Sequence, residues 1–574
     1  MSESVAKSDW WKKAVVYQVY PRSFADADGD GMGDLRGIID HLDYLADLGV
    51  GVLWLSPIYP SPQDDNGYDI SDYQNIEPLF GDLDTFDELL AGAHARGIKL
   101  IMDLVVNHSS DEHQWFQESR SSKDSPKRDW YWWRPARPGM EPGTPGAEPT
   151  NWGSVFGGPA WEFDEKTGEY YLHLFSKKQP DLNWENPEVR QAVYAMMRWW
   201  LDRGVDGFRM DVINMISKVV GPDGSLPDGR MSAGAAYADG SDSFVGGPRL
   251  HEFLQEMHRE VFAGREGLLT VGETPGVTVE EARLHTDPER HEVDMVFQFD
   301  HVWVDRGPDP WLLVPLRLTN LKAIFGRWQA GLADLGWNSL YWNNHDQPRA
   351  VSRYGDDSPQ FRVASAKMLG AVLHLHRGTP YVYQGEELGM TNYPFTGIED
   401  FRDIEALGQY RQALDLEGRS PEEVLTVLRA RGRDNARTPM QWDDSPHAGF
   451  TTGTPWLAVN PNHREINAAA AQADPDSVFH WYRRLIELRR TEPVVADGDF
   501  TMLLPNDERL YAFTRALGGT ELLVIGNFSG ERVHAEIDDA EAWSAAELLL
   551  NNLPGTPADL TLDPWQVLVY KRTR

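Results

Sequence analysis

Eight short runs of β-branched and aromatic residues recur along the chain, and several are followed by a stretch whose apolar residues have helical spacing. A strand that alternates with a helix eight times predicts an α/β protein with a (β/α)8 TIM barrel, in which the loops after the strands carry the chemistry. The expected strands are 15–20, 52–55, 100–106, 205–210, 268–271, 295–299, 339–342 and 379–383. The expected helices include 35–48, 84–95, 187–202, 247–262 and 361–375.

Two regions interrupt this alternation. The segment 108–176 is rich in Trp, Pro and Gly and is too long for a barrel loop, so it predicts a small domain inserted after the third strand. After residue 490 the chain changes to β-prone runs, which predict a C-terminal antiparallel β domain. The expected division is therefore barrel over 1–107 and 177–490, inserted domain over 108–176, and β domain over 491–574.

Composition narrows the classes of function. A formal charge of -35 argues against nucleic acid or an anionic membrane surface as partner, because like charges repel, and a neutral sugar fits better. The absence of cysteine excludes disulfides, thiolate catalysis and Cys-type metal sites. No secretory signal and no apolar run of membrane-spanning length is visible, so a cytoplasmic protein is expected.

Three carboxylates each close an apolar, strand-like run: Asp211, Glu273 and Asp346. If those strands are parallel neighbours, the three side chains meet at one rim and face one pocket. Hydrolysis of a glycosidic bond with retention needs a nucleophile and a proton donor roughly 5 Å apart, which two neighbouring strand ends can supply. Asp346 is suited to gripping sugar hydroxyls, and His108 and His345 can donate hydrogen bonds to the same ring.

The neighbours of the first two carboxylates suggest different protonation. Arg209 lies two residues before Asp211 on the same face of the strand, so its charge is expected to keep Asp211 ionised, as a nucleophile must be. Glu273 has no cationic neighbour in sequence, so burial is expected to raise its pKa and keep it protonated as the acid. A single acidic residue at a strand end is most often a surface or capping residue. The prediction of a catalytic site therefore depends on the three carboxylates and their flanking residues taken together.

The residues around these carboxylates resemble a known family. The segments 103–108, 207–211, Glu273 and 344–346 are similar to the four signature regions of the α-amylase family of glycoside hydrolases. The segment 179–183 resembles a fifth region, in the form found in the oligo-1,6-glucosidase and α-glucosidase branch. The resemblance covers nearly the whole chain, with the signatures in the family's order.

The resemblance implies a role for each site residue. Asp211 would be the nucleophile, Glu273 the general acid and base, and Asp346 the transition-state stabiliser. A charged group that binds the terminal hydroxyls of the first glucose would block longer chains, so Asp65 predicts exo-action. For Phe175, packing within the inserted domain is an equal alternative. The implied substrate-binding residues are Asp65, Tyr68, His108, Phe175, Gln179, Arg209, His345 and Arg437.

The loop 26–34 has carboxylates at alternate positions, with glycines that allow a tight turn. Oxygen-only ligands in such a loop suit calcium, or magnesium that keeps its waters. The twelfth position is Gly37, not Glu, so the loop is not an EF-hand. The resembled branch often holds a structural calcium here, and the alternative is an Asp/Gly turn without an ion. The implied ligands are Asp26, Asp28, Asp30, the carbonyl of Met32, and Asp34.

Bond specificity is linked to Val212, the residue after the nucleophile. In the resembled branch a valine here accompanies preference for α-1,6 linkages, whereas threonine accompanies α-1,4 preference. We therefore expect release of glucose from short α-1,6-linked oligosaccharides, although one such contact is worth only about 1–3 kcal/mol. A simple packing role for Val212 is the alternative.

Two other functions stay open at this point. A transglucosylase or sucrose isomerase would use the same covalent intermediate and differ only in what attacks it. A non-catalytic relative, such as the heavy subunit of an amino-acid transporter, would need a membrane segment and usually lacks the catalytic carboxylates. All three carboxylates are present here, which argues against the second alternative.

Overall fold

The protein is described by a computed structural model over residues 9–232, 234–555 and 557–573. The strands, in chain order, are β1 Val16–Val19, β2 Val52–Leu55, β3 Lys99–Leu104, β4 Trp133–Arg134, β5 Trp161–Asp164, β6 Glu169–Leu172, β7 Gly207–Met210, β8 Leu269–Glu273, β9 Met295–Phe297, β10 Ser339–Leu340, β11 Thr379–Tyr383, β12 Asp499–Leu503, β13 Leu510–Leu517, β14 Thr520–Asn527, β15 Val533–His534, β16 Glu547–Asn551, β17 Thr561–Leu562 and β18 Val567–Thr573.

Eight of these strands form one parallel sheet in the order β10-β11-β1-β2-β3-β7-β8-β9. A parallel bridge between Val296 in β9 and Asn338, the residue before β10, joins the two edges into a barrel. The strand positions match the eight runs in the sequence, and the predicted TIM barrel is confirmed. Because all strands point the same way, their carboxyl ends share one rim.

Helices connect the strands and cover the outside of the barrel. The helices are α1 Leu35–Asp40, α2 Leu42–Leu48, α3 Leu83–Ala95, α4 Gln114–Ser119, α5 Pro187–Arg203, α6 Ser241–Phe244, α7 Leu250–Met257, α8 Val279–Thr286, α9 Leu318–Gly331, α10 Ala350–Tyr354, α11 Arg362–His374, α12 Ile404–Asp415, α13 Pro421–Arg431, α14 Asp434–Arg437, α15 Ala468–Ala473, α16 Val478–Thr491, α17 Pro493–Asp497 and α18 Ala540–Ser544. In α3, the buried residues Phe86, Leu89, Leu90 and Ala93 lie on one face, which packs against the barrel.

Two predicted helices differ from the structure. The helix expected over 35–48 is divided at His41, whose φ of -109° and ψ of 11° end α1 and precede α2. The imidazole Nδ1 of His41 is 2.7 Å from the carbonyl oxygen of Gly37, a local contact that competes with continued helix. The helix expected over 247–262 begins only at Leu250 and continues as a π-helix over His258–Phe262.

The insertion after β3 contains a small antiparallel sheet in the order β4-β6-β5. Its aromatic core includes Trp132, Trp152 and Trp161, and the same cluster takes in Val212 and Met215 from the end of β7. The inserted segment therefore packs directly on the rim where the predicted site lies.

The last part of the chain forms a five-stranded antiparallel sheet in the order β12-β13-β14-β18-β16, as expected for a C-terminal β domain. It contacts the barrel through His376, whose Nε2 lies 3.0 Å from the hydroxyl of Tyr511. These strands follow all the predicted site residues in the sequence. The sheet that they form packs against the barrel and supports it.

An excursion after β11 was not predicted. It carries α12 and α13 around a small apolar cluster that includes Phe395 and Phe401. It also places Asp403 and Arg433 at the rim, where Arg433 contacts Asp65 and Asp403 contacts Arg437. Across the residues that the structure describes, every helix is too short or too polar to cross a membrane.

Candidate active site

A cavity of about 1140 Å³ opens at the carboxyl ends of the barrel strands. Asp211, Glu273 and Asp346 all line it, as the strand pattern predicted. Six of the residues singled out for substrate binding or specificity also line it: Asp65, Tyr68, His108, Phe175, Val212 and His345. The other three, Gln179, Arg209 and Arg437, are buried just behind the wall, and each contacts a lining carboxylate.

Arg209 holds the first two carboxylates together. Its Nη1 is 2.7 Å from Oδ1 of Asp211, and its Nη2 is 2.6 Å from Oε1 of Glu273. Nη1 also donates to Oδ1 of Asp103, at 2.7 Å. The register of β7 and β8 explains the arrangement, because these strands pair so that Asp211 and Glu273 follow directly from opposed residues. One guanidinium thus bridges the two groups expected to perform the chemistry.

Burial dominates the protonation of this pair. It raises the pKa of Glu273 to about 8, although Arg209 opposes the rise. It also raises the pKa of Asp211 to about 7, so the prediction that Arg209 would hold Asp211 ionised is wrong about the balance of the two effects. Arg209 does contact Asp211, but it is shared with two further carboxylates. Because Asp211 and Glu273 interact closely, their two ionisations belong to the pair, and burial shifts both towards neutral pH.

Val212 contributes its backbone as well as its side chain. Its N–H donates to Oε2 of Glu273 at 3.0 Å. Its φ of 34° and ψ of 41° are left-handed, a conformation in which a β-branched residue is strained. The local chain geometry after β7 is therefore fixed in a form that orients Glu273.

Asp346 is surrounded by donors. Arg437 Nη2 lies 2.7 Å and Arg433 Nη1 3.3 Å from its Oδ1, and His345 Nε2 lies 3.3 Å from its Oδ2. Burial by itself would raise the pKa of Asp346, but the positive charges of Arg433 and Arg437 hold it well below its usual range. Asp346 is therefore a permanent negative charge at the cavity wall.

The two predicted histidines are neutral. Burial lowers the pKa of His345 to about 3 and that of His108 to about 4. Gln18 Nε2 donates to Nδ1 of His345 at 2.8 Å, so the ring carries its proton on Nε2, towards the cavity. Tyr68 stacks on His345 with ring centroids 5.1 Å apart and 4° between the planes. The pair forms a flat, fixed surface beside Asp346.

Asp65 lies at another wall of the cavity and is held from two sides. Gln179 Nε2 donates to its Oδ2 at 3.0 Å, and Arg433 Nη2 lies 3.2 Å from its Oδ1. Burial raises the pKa of Asp65 to about 7, against the opposing effect of Arg433 and Arg437. Arg433 also contacts Asp403 at 2.5 Å, so it links Asp65 to the excursion after β11.

Sequence reasoning missed three residues of this network: Asp103, Asp403 and Arg433. Asp103 opens the signature segment 103–108, and Arg433, the N-cap of α14, lies four residues before Arg437. The sequence therefore contained a signal for Asp103 and a signal for Arg433. Asp403 caps α12 by accepting hydrogen bonds from the N–H groups of Glu405 and Ala406. Its position at a helix N-terminus does not indicate in the sequence that it also contacts the site.

The loop after β1 brings part of the predicted cation ligand set together. One carboxylate oxygen from each of Asp26, Asp28 and Asp34 lies within 4.8 Å of the others. Asp30 Oδ1 instead accepts the N–H of Met32 at 2.7 Å. Asp34 additionally caps α1 through Gly37 N–H, at 2.6 Å. Three close carboxylate oxygens are the donors that calcium prefers, so the residues fit such an ion.

A parallel barrel whose rim carries paired acidic groups and a third carboxylate, all facing one cavity, defines a class of sugar-cleaving enzyme. The family model described as the α-amylase catalytic domain matches residues 18–498. The chain therefore belongs to the α-amylase family of glycoside hydrolases, as its signature segments indicated.

Several named relatives match nearly the whole chain. The oligo-1,6-glucosidase of Parageobacillus thermoglucosidasius is 57% identical over 567 residues, which cover 98% of this chain and 99% of that protein. The crystal structure of trehalose-6-phosphate hydrolase from Bacillus licheniformis is 48% identical with a TM-score of 0.91, covering 98% of this chain and 100% of that one. Isomaltulose synthase from Erwinia rhapontici, solved with its natural substrate sucrose, is 43% identical with a TM-score of 0.92, covering 98% and 99%.

Proposed function

We propose that this protein is a retaining, exo-acting α-glucosidase that releases glucose from the non-reducing end of short α-glucosides and prefers α-1,6 linkages. The observation that carries the proposal is the bridge from one guanidinium, Arg209, to both Asp211 and Glu273. Retaining enzymes keep these two carboxyl groups about 5–5.5 Å apart, whereas inverting enzymes leave room for a water between them. A shared guanidinium favours the short separation.

In the first step, an oxygen of Asp211 attacks the anomeric carbon as Glu273 donates its proton to the glycosidic oxygen. The carbon–oxygen bond to the leaving sugar breaks, and a glucosyl ester with Asp211 forms. In the second step, Glu273 takes a proton from water, and the resulting nucleophile cleaves the ester and restores both carboxyl groups. The higher pKa of Glu273 supports this division of roles.

The remaining polar groups stabilise the positive charge that develops on the glucose ring. Asp346 is held ionised by its arginine and histidine neighbours, so it can strengthen hydrogen bonds to ring hydroxyls in the transition state. The N–H of His345 and the ring of Tyr68 present a rigid edge and face to the same sugar. Such groups cost little reorganisation because the protein has already fixed them.

The network around Asp65 supports exo-action. Asp65 is buried against Arg433 and Gln179, so the hydroxyls at the non-reducing end would exchange water for a fixed set of donors and acceptors. An additional glucose unit beyond this end would have to displace the ion pair between Asp65 and Arg433 that forms the wall of the cavity. Short oligosaccharides with one terminal glucose in the pocket fit this arrangement.

The linkage preference is supported by Val212, whose side chain lines the cavity beside the two catalytic carboxylates. Its apolar surface offers no hydroxyl to the leaving sugar. Relatives called oligo-1,6-glucosidase support the same preference. A sucrose isomerase or transglucosylase is the second candidate, because isomaltulose synthase shares the fold at 43% identity.

A product time course distinguishes these candidates. Isomaltose, maltose and sucrose are each incubated with the protein, and the products are separated by chromatography. The proposal expects glucose as the main product, with isomaltose cleaved fastest. Isomaltulose or trehalulose as the main product from sucrose would replace hydrolysis with isomerisation.

Two further properties belong to the proposal. Calcium, or magnesium, would bind the loop after β1 through Asp26, Asp28 and Asp34 and stabilise that turn without contacting the sugar. The protein would act in the cytoplasm on small neutral sugars, which its cysteine-free composition and strong negative charge support.

A further inference from the structure

A second group of metal-binding side chains lies in a different part of the cavity from Asp65. His251 belongs to α7, His285 to α8, and Glu292 to the turn before β9. Both histidines line the cavity. His285 and Glu292 are buried, whereas the side chain of His251 is 34% exposed. Three segments that are separate in sequence thus meet at one carboxylate that an ion can reach from the cavity.

The donor atoms of this group are close enough to share one ion. Nδ1 of His251 and Nδ1 of His285 each lie 2.9 Å from Oε2 of Glu292, and the three ligand atoms lie within 4.8 Å of one another. An ion about 2.1 Å from each ligand in a tetrahedral site leaves neighbouring donor atoms roughly 3.4 Å apart. The two distances from histidine to Glu292 need to lengthen by only about 0.5 Å to reach this spacing.

The chemistry of the donors favours a transition metal over calcium. Two imidazole nitrogens and one carboxylate oxygen suit zinc, nickel or cobalt dications, whereas calcium takes oxygen ligands. To bind, each ring carries its proton on Nε2 and offers the Nδ1 lone pair. Water from the cavity can complete the coordination.

The surrounding groups hold the carboxylate in place. Arg290 Nη2 and Gln255 Nε2 donate to Oε1 of Glu292, at 2.8 and 3.1 Å, which leaves Oε2 facing the two histidines. Hydrogen bonds of this kind orient a metal-binding carboxylate. The positive charge of Arg290 opposes a cation, but it acts across the carboxylate that separates the two.

We propose that His251, His285 and Glu292 form a binding site for one first-row transition-metal dication of the zinc class. The ion ties α7 and α8 to the segment before β9. Because α8 begins six residues after Glu273, the ion braces the backbone that follows the proposed acid. This site is distinct from the oxygen-only loop after β1 and does not depend on which α-glucoside is cleaved.

The test is a titration of the full-length, chelator-treated protein with cobalt chloride, followed by visible absorption, which reports nitrogen and oxygen coordination. The wild type is expected to bind one equivalent, and zinc chloride is expected to displace it and to raise the melting temperature. In His251→Gln and His285→Gln the affinity is expected to fall at least tenfold, which is the scale of effect reported for lost coordination support.

Two controls keep the outcome decisive. His534→Gln removes an exposed histidine of β15, and Asp28→Asn alters the oxygen-only loop; both variants should bind cobalt as the wild type does. His251 is partly exposed, so His251→Gln is expected to fold, and circular dichroism checks this if the buried variant fails. Unchanged binding in a folded His251→Gln, or absence of any absorption band in the wild type, overturns the proposal.

Discussion

The backbone N–H of Val212 donates a hydrogen bond to Oε2 of Glu273 across 3.0 Å, while Val212 itself has a left-handed φ of 34°. A strained conformation of this kind costs about 1–3 kcal/mol and persists only where the surroundings enforce it. The side chain of Val212 packs against the inserted segment and faces the cavity. One residue therefore orients Glu273, the proposed general acid, through its backbone and lines the cavity through its side chain.

Val212→Thr is expected to change linkage preference without disabling the catalytic pair. The hydroxyl adds a polar contact near the scissile bond, and the backbone N–H that orients Glu273 is retained. We expect kcat/KM for maltose relative to isomaltose to rise by roughly 5- to 150-fold, the effect of about 1–3 kcal/mol. Initial rates on both disaccharides measure it. An unchanged ratio would assign Val212 to packing alone.

Asp211→Asn is expected to lower kcat on a chromogenic α-glucoside by several orders of magnitude, because an amide oxygen cannot form the glucosyl ester. Asp242→Asn is the matched control, since Asp242 also lines the cavity but is largely exposed and contacts only Arg230 among the ion pairs described. The control should retain most of its activity. A rate for Asp211→Asn equal to that of the control would refute the nucleophile assignment.

The pH dependence of kcat/KM should report the pair Asp211 and Glu273. Asp211 must be ionised, so activity falls as the pH drops below its pKa of about 7, and Glu273 must be protonated, so activity falls as the pH rises above about 8. The profile of the free enzyme should therefore be a narrow bell in this range, whose two apparent pKa values belong to the pair.

Glu273→Gln should remove the alkaline side of that bell. For a glucoside with a good leaving group, the first step needs no acid, so a burst of product is expected before the second step limits turnover. Stopped-flow measurement of the released phenol follows both phases. A variant that keeps the alkaline fall in activity would place that ionisation on another group.

Glu386→Gln should stabilise the protein increasingly as the pH rises. Burial raises the pKa of Glu386 from 4.5 to about 8, and Oε2 of this residue has no hydrogen-bond partner among the described residues. Between these two values the unfolded chain releases the proton and the folded chain keeps it, so the wild type loses about 1.4 kcal/mol of stability per pH unit. Glutamine does not titrate and avoids this loss.

Urea unfolding at pH 5.5 and 7.5 measures the effect. The advantage of Glu386→Gln should grow by ~2–3 kcal/mol between the two pH values. Glu541→Gln, at an exposed position, should show no such growth. Equal shifts in both variants would show that the effect comes from net charge and not from the buried carboxyl.

Removal of calcium is expected to lower the melting temperature while leaving the chemistry of the site intact. A ligand present at 100 times its dissociation constant stabilises the folded state by about 2.7 kcal/mol. Asp28→Asn removes one of the three close carboxylates and should abolish the difference between calcium and chelator. Calorimetry with and without calcium measures it, and equal melting temperatures of the wild type in both solutions would exclude the ion.

The order of the strands and the position of the candidate site could be predicted from the sequence because both depend on local sequence patterns. β2 and β11 begin and end at the residues that the apolar runs indicated. Strand ends in a parallel barrel share a rim, so Asp211, Glu273 and Asp346 could be brought together without coordinates. The helix over 35–48 was misjudged because the apolar spacing continues through His41, where the backbone turns away from helical angles.

The balance between burial and charge that sets the pKa values of the site carboxyls could not be predicted from the sequence in the same way. Arg209 was assigned to Asp211 because it is near in sequence, yet it also contacts Asp103 and Glu273 from neighbouring strands. Burial, which depends on every segment that packs over the rim, then raises the pKa of both Asp211 and Glu273. No local pattern contains that information.

The sequence by itself determined the barrel, the family and the three carboxylates, because these follow from periodicity and from short motifs whose spacing survives without coordinates. Only the tertiary structure decided how the charges are shared. Arg433, from the excursion after β11, joins Asp65 to Asp346 although 368 residues separate it from Asp65. Contacts of that kind form only after the chain has folded, since they depend on which distant segments pack against the same rim and exclude water from it.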